Sequence, residues 1–442
     1  MAHFESWRIP PDYGAQTREE RQGGVVRRYV PDMLCESDNS VSADTAEFVG
    51  DVSARVAAFG ASIRDEHIGM LYATLLKSES ISSSMIEGYQ TSPRNVVLAG
   101  FDPEYSSDTA RIVWNNVMAV KDSLAMLNGE WTVGAIHDVH HTLLPDMPYG
   151  ARTGQVRIGG STIFKASYIA PDDGLVPAYM DDLVAYANTG GDTTLTKAAI
   201  LHAQFETIHP YGDGNGRTGR AIIHALLNRS GIVSNGAVLP ISTVLKVRSD
   251  EYIAALNGYR YSDDDHGNRH DAVNQFVLTF AEAANDSVTL AAKVRDDVAA
   301  VRRDWNEKAS GIRSDSVAHS ILEILPESPI VTAASVEVQF GVTRLASARA
   351  IGRLEDVGIL QRIEGKHRHA SAYIATDILS LMADAERRAA SPDMDTVLSS
   401  LVLPVPAPSH PLTLVCDVWM PNAKKNCVLS KGHAGPHKSS RG

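Results

Sequence analysis

The residues best suited to chemistry lie together in one segment, HPYGDGNGRTGR, which runs from His209 to Arg220 between two helical segments. Its three closely spaced glycines let backbone N–H groups approach an anion without obstruction by a Cβ atom. The N-terminus of the helix that follows adds the positive end of its dipole. The segment therefore predicts a phosphate-binding loop.

The side chains of this loop complete a site for displacement at a nucleotide phosphorus. His209 is expected to take a proton from an incoming hydroxyl, and Asp213 offers the hard oxygen ligand that Mg²⁺ accepts beside phosphates. Arg217 and Arg220 are three residues apart in the first turn of the helix, so both are expected to hold the outer phosphates. The alternative is a glycine-rich connection between helices, which does not need all of these groups together.

The segment resembles the Fic family signature, H-x-F-x-(D/E)-G-N-G-R-x-x-R, and departs from it at Tyr211, where phenylalanine is usual. The resemblance implies transfer of AMP from Mg²⁺-bound ATP to a hydroxyl side chain of a protein. It implies that Gly214, Asn215 and Gly216 form the anion hole for the α- and β-phosphates. Family members that phosphorylate carry lysine where this chain has Gly216, so the glycine implies attack at the α-phosphorus. The hydroxyl of Tyr211 is expected to need a partner.

A second motif, SSMIEG, lies far upstream on a predicted helix. Ser83, Glu87 and Gly88 resemble the inhibitory motif (S/T)-x-x-x-E-(G/N), and the first two share one helix face. The resemblance implies that Glu87 pairs with Arg220 and occupies the space that the γ-phosphate needs. A solvated glutamate near a helix end is the alternative.

Residues 152–171 interrupt the helical pattern with β-branched and aromatic side chains around Gly159 and Gly160, a dipeptide that favours a hairpin turn. The segment resembles the family flap, which holds a target segment by adding a strand to its edge. Ile163 and Phe164 are expected to grip the target. An ordinary packed hairpin is the alternative.

Two weaker signals flank these motifs. Tyr252 and Tyr259, in residues 250–261, are expected either to contact adenosine or to be core aromatics. His137 and His141 share a helix face and suggest a metal, but no third ligand of suitable spacing is nearby, so a solvated or capping role is favoured.

The remaining elements form distinct regions along the chain. Residues 1–42 read as an extended lead, 43–105 as a helical region with the inhibitory helix, and 106–309 as a mainly α catalytic core with the β-hairpin flap. Residues 310–388 show three short helices and two strands around Gly365, the order of a winged helix-turn-helix, which either binds DNA or docks proteins. Residues 389–412 are a Pro-rich linker.

Residues 413–442 form a small tail with a candidate metal site. The candidate zinc ligands are Cys416, Cys427, His433 and His437, although ten residues separate the two cysteines. A disordered basic tail is the alternative.

Composition narrows the class of protein further. The sequence has 41 basic and 53 acidic side chains, which argues against a nucleic-acid coat, and only three cysteines, which does not suit a disulfide framework. No apolar run is long enough to span a membrane, and we expect a cytoplasmic protein. The sequence leaves open whether the protein modifies itself and whether it forms a homodimer.

Two further activities compete with AMP transfer. One is removal of AMP, which a glutamate placed like Glu87 could assist by activating water. The other is a winged-helix DNA-binding regulator whose Fic core only senses nucleotide. The presence of His209 favours an enzyme over a sensor, because a sensor needs no general base. The sequence leaves the choice between addition and removal of AMP open.

Overall fold

The computed structural model describes residues 2–63, 68–189, 191–233, 237–262, 268–363, 372–390, 419–420 and 425–426. Met1–Ala390 form one compact unit and Ser391–Gly442 a second. Gly365 and the four candidate zinc ligands of the tail lie outside the described residues.

Helices dominate the first unit, so the prediction of a mainly α fold is confirmed. The helices are α1 Arg18–Gln22, α2 Ala43–Ser62, α3 Ile68–Ile86, α4 Pro93–Phe101, α5 Asp108–Met126, α6 Val133–Leu143, α7 Val176–Asn188, α8 Thr194–Ile208, α9 Asn215–Arg229, α10 Ile241–Val247, α11 Ser249–Tyr259, α12 Arg269–Lys308, α13 Val317–Ile324, α14 Ala333–Phe340, α15 Arg344–Asp356 and α16 Thr376–Ala389. No helix in the described part of the chain is long and apolar enough to cross a bilayer.

The strands are short, and all their pairings are antiparallel. They are β1 His3–Ile9, β2 Gly24–Val30, β3 Arg157–Ile158, β4 Tyr168–Ile169, β5 Ile330–Thr332, β6 Gln361–Arg362, β7 Ala372–Ile374, β8 Trp419–Met420 and β9 Lys425–Asn426. β1 pairs with β2, β3 with β4 and β8 with β9, while β5, β7 and β6 form one sheet in that order.

Helices α8 and α9 form the centre of the first unit. α8 is buried continuously from Leu195 to Ile208, and α9 from Asn215 to Leu227. A helix buried on all sides, rather than along one apolar stripe, belongs to the interior of a bundle. α8 packs against α7, α9 and α12, and α9 packs also against α5 and α6. The loop between α8 and α9 is therefore held on both sides by fixed helices.

Helix α3 is attached to this centre by buried polar contacts. Glu79 lies 2.8 Å from Nε2 of His224 on α9, and its second carboxylate oxygen accepts a hydrogen bond from the N–H of Ser242 on α10. Lys77 is also buried, and it donates to the carbonyl oxygen of Pro326, just beyond α13. These contacts fix the middle of α3, and so they position its C-terminal end.

The N-terminal segment, expected as an extended lead, pairs with itself along seven residues of β1 and β2. Tyr29 on β2 packs against the ring of Tyr168 on β4, with centroids 6.3 Å apart, and donates to the carbonyl of Tyr261. β2 therefore lies against β4 of the short β3–β4 pair.

The three short helices predicted beyond residue 310 are present as α13, α14 and α15, and strands β6 and β7 follow them. Sequence reasoning missed α16, although this helix packs against α3 and α12. Its apolar face accounts for that contact, because Ile378, Leu381, Met382 and Ala385 are spaced three or four residues apart and are buried.

Candidate active site

The signature segment joins α8 to α9 through a tight loop. His209, the residue after α8, has a φ of 50°, and it is the single non-glycine residue with positive φ among the described residues. This left-handed conformation costs on the order of 1–3 kcal/mol for such a residue and is concentrated at functional sites. Gly214, with a φ of 80°, then turns the chain into α9.

The loop is closed by the side chain of Asn215. Its Oδ1 accepts from the N–H of Tyr211 at 2.9 Å, and its Nδ2 donates to the carbonyl of the same residue at 2.9 Å. Asn215 is buried. Its amide group therefore fixes the shape of the loop, while its backbone N–H lies at the start of α9.

Helix α6 supports the same loop through two histidines. His140 stacks on the ring of Tyr211 with centroids 3.7 Å apart, and its Nε2 lies 3.0 Å from the carbonyl oxygen of Asp213. His137 Nδ1 lies 2.8 Å from the hydroxyl of Tyr211. The tyrosine hydroxyl therefore has a partner. His140, which the sequence did not single out, is buried and holds the loop in place.

A cavity of about 460 Å³ opens beside the loop. Seven residues of the signature line it: His209, Gly212, Asp213, Gly214, Asn215, Gly216 and Arg220. Other parts of its wall come from the end of α3, from β3 and from α11. The cavity thus joins the two sequence motifs and the hairpin in one site.

His209 is electrically neutral near pH 7. Burial lowers the pKa of its imidazole to about 4, and nearby arginines act in the same direction. Its Nδ1 lies 3.3 Å from the backbone carbonyl of Glu206. An N–H at Nδ1 facing that carbonyl leaves Nε2 as the free lone pair, so the ring is in the form that can accept a proton.

The two arginines of the signature occupy different environments. Arg220 lines the cavity, whereas Arg217 is completely buried and does not. The guanidinium of Arg217 lies 4.7 Å from the ring centroid of Tyr89 and 3.4 Å from Oδ1 of Asp213. Its Nε and Nη1 have no hydrogen-bond partner among the described residues. Buried donors of this kind are costly unless a ligand or water satisfies them.

Glu87 lies in the cavity and contacts Arg220. Its Oε1 accepts from Nη2 of Arg220 at 2.7 Å, while Ser83 accepts from the same guanidinium through its hydroxyl at 2.9 Å and its carbonyl at 2.8 Å. Burial disfavours the charged form of Glu87, but the attraction of Arg220 outweighs it and lowers the pKa of the carboxyl. Gly88, with a φ of 86°, ends the turn.

The carboxylate of Glu87 fills the space above Gly216. A Cβ atom added to Gly216 would lie 1.9 Å from Oε1 of Glu87 and 2.9 Å from Nη1 of Arg220. Such distances are far below van der Waals contact. Glu87 in this position therefore requires a glycine at position 216.

The remaining predicted residues are separated from one another. Tyr252 lines the cavity and its hydroxyl lies 2.6 Å from Nε2 of His202, whereas Tyr259 is buried away from the cavity. Ile163 and Phe164 form a 3-10 turn between β3 and β4 and line a different cavity with the N-terminal segment.

Sequence reasoning missed several residues of the cavity wall. Glu206 on α8 and Asn257 and Arg260 at the end of α11 line it beside the signature. Glu206 could have been noticed, because it lies one helical turn before His209 and so shares its side of the chain. The other two depend on how α11 crosses the bundle.

The described residues contain no group of three or more His, Cys, Asp or Glu side chains arranged to hold a metal ion. Asp213 instead presents a single half-exposed carboxylate to the cavity. One carboxylate suits Mg²⁺ bound together with phosphates, because this ion keeps several waters and needs few protein ligands.

Comparison with known families agrees with this geometry. Residues 130–227 match the model of the Fic/DOC family, and the match spans α6, the loop and α9. The chain contains a Fic/DOC family domain. Its Fic signature is thus carried by the loop at the centre of the bundle.

Curated relatives of this Fic protein are named protein adenylyltransferases. The protein adenylyltransferase fic-1 of Caenorhabditis elegans is 27% identical over 161 residues, which cover 33% of this chain and 30% of that protein. The probable protein adenylyltransferase aq_aa38 of Aquifex aeolicus is 36% identical over 73 residues, or 16% of this chain and 23% of that protein. The matched region is therefore less than a third of either relative.

Among solved structures, a Fic family protein from Desulfovibrio desulfuricans G20 is similar over 76% of this chain and 97% of its own. The TM-score is 0.47 and the sequence identity is 19%.

Proposed function

We propose that this Fic protein transfers AMP from Mg²⁺-bound ATP to a hydroxyl side chain of a protein, and that Glu87 inhibits the transfer. The observation that carries the proposal is the single cavity in which His209, Asp213, Gly216 and Arg220 meet. These four positions supply a base, a metal ligand, an anion-binding backbone and a cation within one ligand-sized space.

The start of α9 is suited to hold the phosphates. Gly214 is the N-cap residue and makes no side-chain capping hydrogen bond, so the first N–H groups of α9 stay available to an anion. Gly216 lets a phosphate approach this backbone closely, and Arg220 adds a positive charge at the same wall. Arg217 adds the positive charge of its buried guanidinium, which lies 3.4 Å from Oδ1 of Asp213.

The proposed reaction is one in-line displacement. The hydroxyl oxygen of the target bonds to the α-phosphorus while the bond from that phosphorus to the bridging oxygen of the β-phosphate breaks. The hydroxyl proton passes to Nε2 of His209, and pyrophosphate leaves. Mg²⁺ would neutralise phosphate charge, held by Asp213, phosphate oxygens and water.

The position of Glu87 supports the inhibitory half of the proposal. Its carboxylate stays charged, pairs with Arg220 and lies over Gly216. A second anion in that space is repelled, and the guanidinium is already engaged. ATP would therefore bind poorly, or with its phosphates displaced from His209, until Glu87 moves.

The target would lie along the β3–β4 hairpin. Arg157, Ile158 and Gly159 line the same cavity as His209, so an extended segment added to β3 would present its side chains toward the imidazole. Ile163 and Phe164, at the far end of the hairpin, would then grip residues of the target further from the modified hydroxyl.

We further propose that residues 310–388 are a winged-helix module beside a helical region, 43–105, and a catalytic core, 106–309. The order α13, β5, α14, α15, β6, β7 supports this, and α15 exposes Arg349 and Arg353. A gel shift with duplex DNA at low salt tests whether the module binds DNA. DNA binding predicts a shift that is lost when both arginines are changed to alanine; no shift at low salt excludes it.

Incubation with ATP labelled at the α-phosphate and with Mg²⁺ tests the proposed transfer. We expect label from the α-phosphate to be retained on protein, no label to be retained from γ-labelled ATP, and the α-phosphate label to be lost in His209→Ala. The matched control is His141→Ala, an exposed histidine on α6 that does not line the cavity. Label from the γ-phosphate, or undiminished labelling by His209→Ala, contradicts the proposal.

A further inference from the structure

Glu206 is a buried carboxyl group in the cavity that neither motif explains. It lies in the last turn of α8, and its side chain is 8% exposed. Its Oε1 has no hydrogen-bond partner among the described residues, although the residue lines the cavity. Oε1 is enclosed near Gly219, so the oxygen that can meet a ligand is Oε2, which is the one nearer His209. A buried carboxyl group without a hydrogen-bond donor is unfavourable, so this group is suited to a ligand that brings one.

The neighbours of Glu206 do not satisfy the carboxyl group. Nδ1 of His209 lies 3.9 Å from Oε2, beyond hydrogen-bond distance. Arg260 approaches the backbone carbonyl of Glu206 at 3.4 Å. Arg220 attracts the group, but its hydrogen bonds go to Ser83 and Glu87.

The position of Glu206 within the cavity indicates which part of a bound nucleotide it would contact. One part of the wall is the phosphate-binding start of α9, and another is α11, where Ile253, Leu256 and Asn257 offer an apolar surface and an amide. A flat base suits that surface. Glu206 lies next to His209, which faces the α-phosphorus in the proposed reaction. The part of a nucleotide that joins the α-phosphate to its base is the sugar.

We propose that Glu206 accepts a hydrogen bond from the ribose hydroxyls of the bound nucleotide and thereby selects ribonucleotides over deoxynucleotides. The inference rests on the proposed function, because it takes the nucleotide to lie with its α-phosphate beside His209. Ribose hydroxyls are donors, and a carboxyl group offers an acceptor oxygen in either protonation state. Glu206 is therefore a specificity residue of the nucleotide site.

Equilibrium binding separates this role from catalysis. The full chain carrying Glu87→Gly and His209→Ala binds nucleotide without transferring it, so calorimetry can compare ATP with 2′,3′-dideoxy-ATP in the presence of Mg²⁺. We expect ATP to bind about 10-fold more tightly than the dideoxy analogue, the upper end of the range expected for one hydrogen bond. Adding Glu206→Ala should reduce that ratio to about 3-fold or less.

Two variants control the comparison. Glu206→Gln keeps the size and one acceptor oxygen, so it should retain an intermediate preference and also serves if the alanine variant does not fold. His141→Ala, an exposed position on α6 outside the cavity, should leave the ATP to dideoxy-ATP ratio unchanged. An equal ratio in the parent, Glu206→Gln and Glu206→Ala chains overturns the inference.

Failure of the proposed function gives a different result. If neither nucleotide binds the parent chain, the nucleotide site itself is wrong and both proposals fail together. If both nucleotides bind with equal affinity while labelling from α-labelled ATP still depends on His209, the transfer stands and only the role of Glu206 is refuted. If Glu206→Ala loses labelling but keeps the ratio of ATP to dideoxy-ATP affinity, the carboxyl group acts on the target hydroxyl. That result refutes ribose recognition.

Discussion

Replacing Glu87 by glycine should raise the transfer activity. The exchange removes one acceptor from Arg220, whose guanidinium keeps its hydrogen bonds to the hydroxyl and carbonyl of Ser83 at 2.9 and 2.8 Å. Arg220 therefore stays in place with one N–H free for phosphate. The space above Gly216 is vacated at the same time.

The size of the effect follows from the interaction that holds Glu87 in place. A hydrogen bond to a charged group contributes about 1.5–3 kcal/mol. The side chain of Glu87 is 35% exposed, so screening by water favours the lower end, about 1.5 kcal/mol. Since about 1.4 kcal/mol corresponds to a tenfold change, Glu87→Gly should increase labelling by at least about tenfold. Glu87→Gln keeps a weaker, neutral contact and should give a smaller increase.

The assay is the initial rate of protein labelling from α-labelled ATP at equal protein concentrations, with thermal unfolding measured in parallel. Ser53→Ala is a matched control, because its hydroxyl bonds within α2 and does not line the cavity. Equal rates for the native chain and Glu87→Gly would refute inhibition by this carboxylate. The same conclusion would follow if Ser53→Ala raised the rate as much as Glu87→Gly does.

Three further results are expected. Burial lowers the pKa of His209 to about 4 in the folded chain, so between that pH and about 6.5 the unfolded chain binds more protons than the folded chain. Stability therefore falls as the pH is lowered through this range. The drop in melting temperature from pH 7 to pH 5 should be larger for the native chain than for His209→Ala. Tyr211→Phe should cost about 1 kcal/mol by removing its contact with His137, seen in denaturant unfolding, while labelling in the Glu87→Gly background persists. Asp213→Asn in that background should raise the Mg²⁺ concentration for half-maximal labelling by about tenfold or more, measured by titration, and an unchanged requirement would argue against this ligand.

The local features of the site could be predicted from sequence because they depend on short spacings. Ser83 and Glu87 share a helix face at an interval of four, and both contact Arg220. The signature lies between two helices as predicted, and α8 ends at Ile208, directly before it. Tyr211 needed a partner, and its hydroxyl meets His137.

What sequence could not supply depends on contacts between distant segments. His140 supports the loop only because α6 packs against α9, and Arg217 is buried below Tyr89 rather than in the cavity with Arg220. Their spacing places both arginines on one face of α9, but it cannot tell which neighbours that face meets. The pairing of β1 with β2 was missed because charged side chains interrupt both strands and α1 separates them, so no hairpin turn marks the pair.

The most direct measurement is a crystal structure of the Glu87→Gly chain with Mg²⁺ and a non-hydrolysable ATP analogue. We predict that the analogue's phosphates contact the backbone from Gly214 to Gly216 and the guanidinium of Arg220, with the α-phosphorus facing Nε2 of His209. An analogue bound elsewhere, or one whose γ-phosphorus faces the imidazole, would contradict AMP transfer at this site.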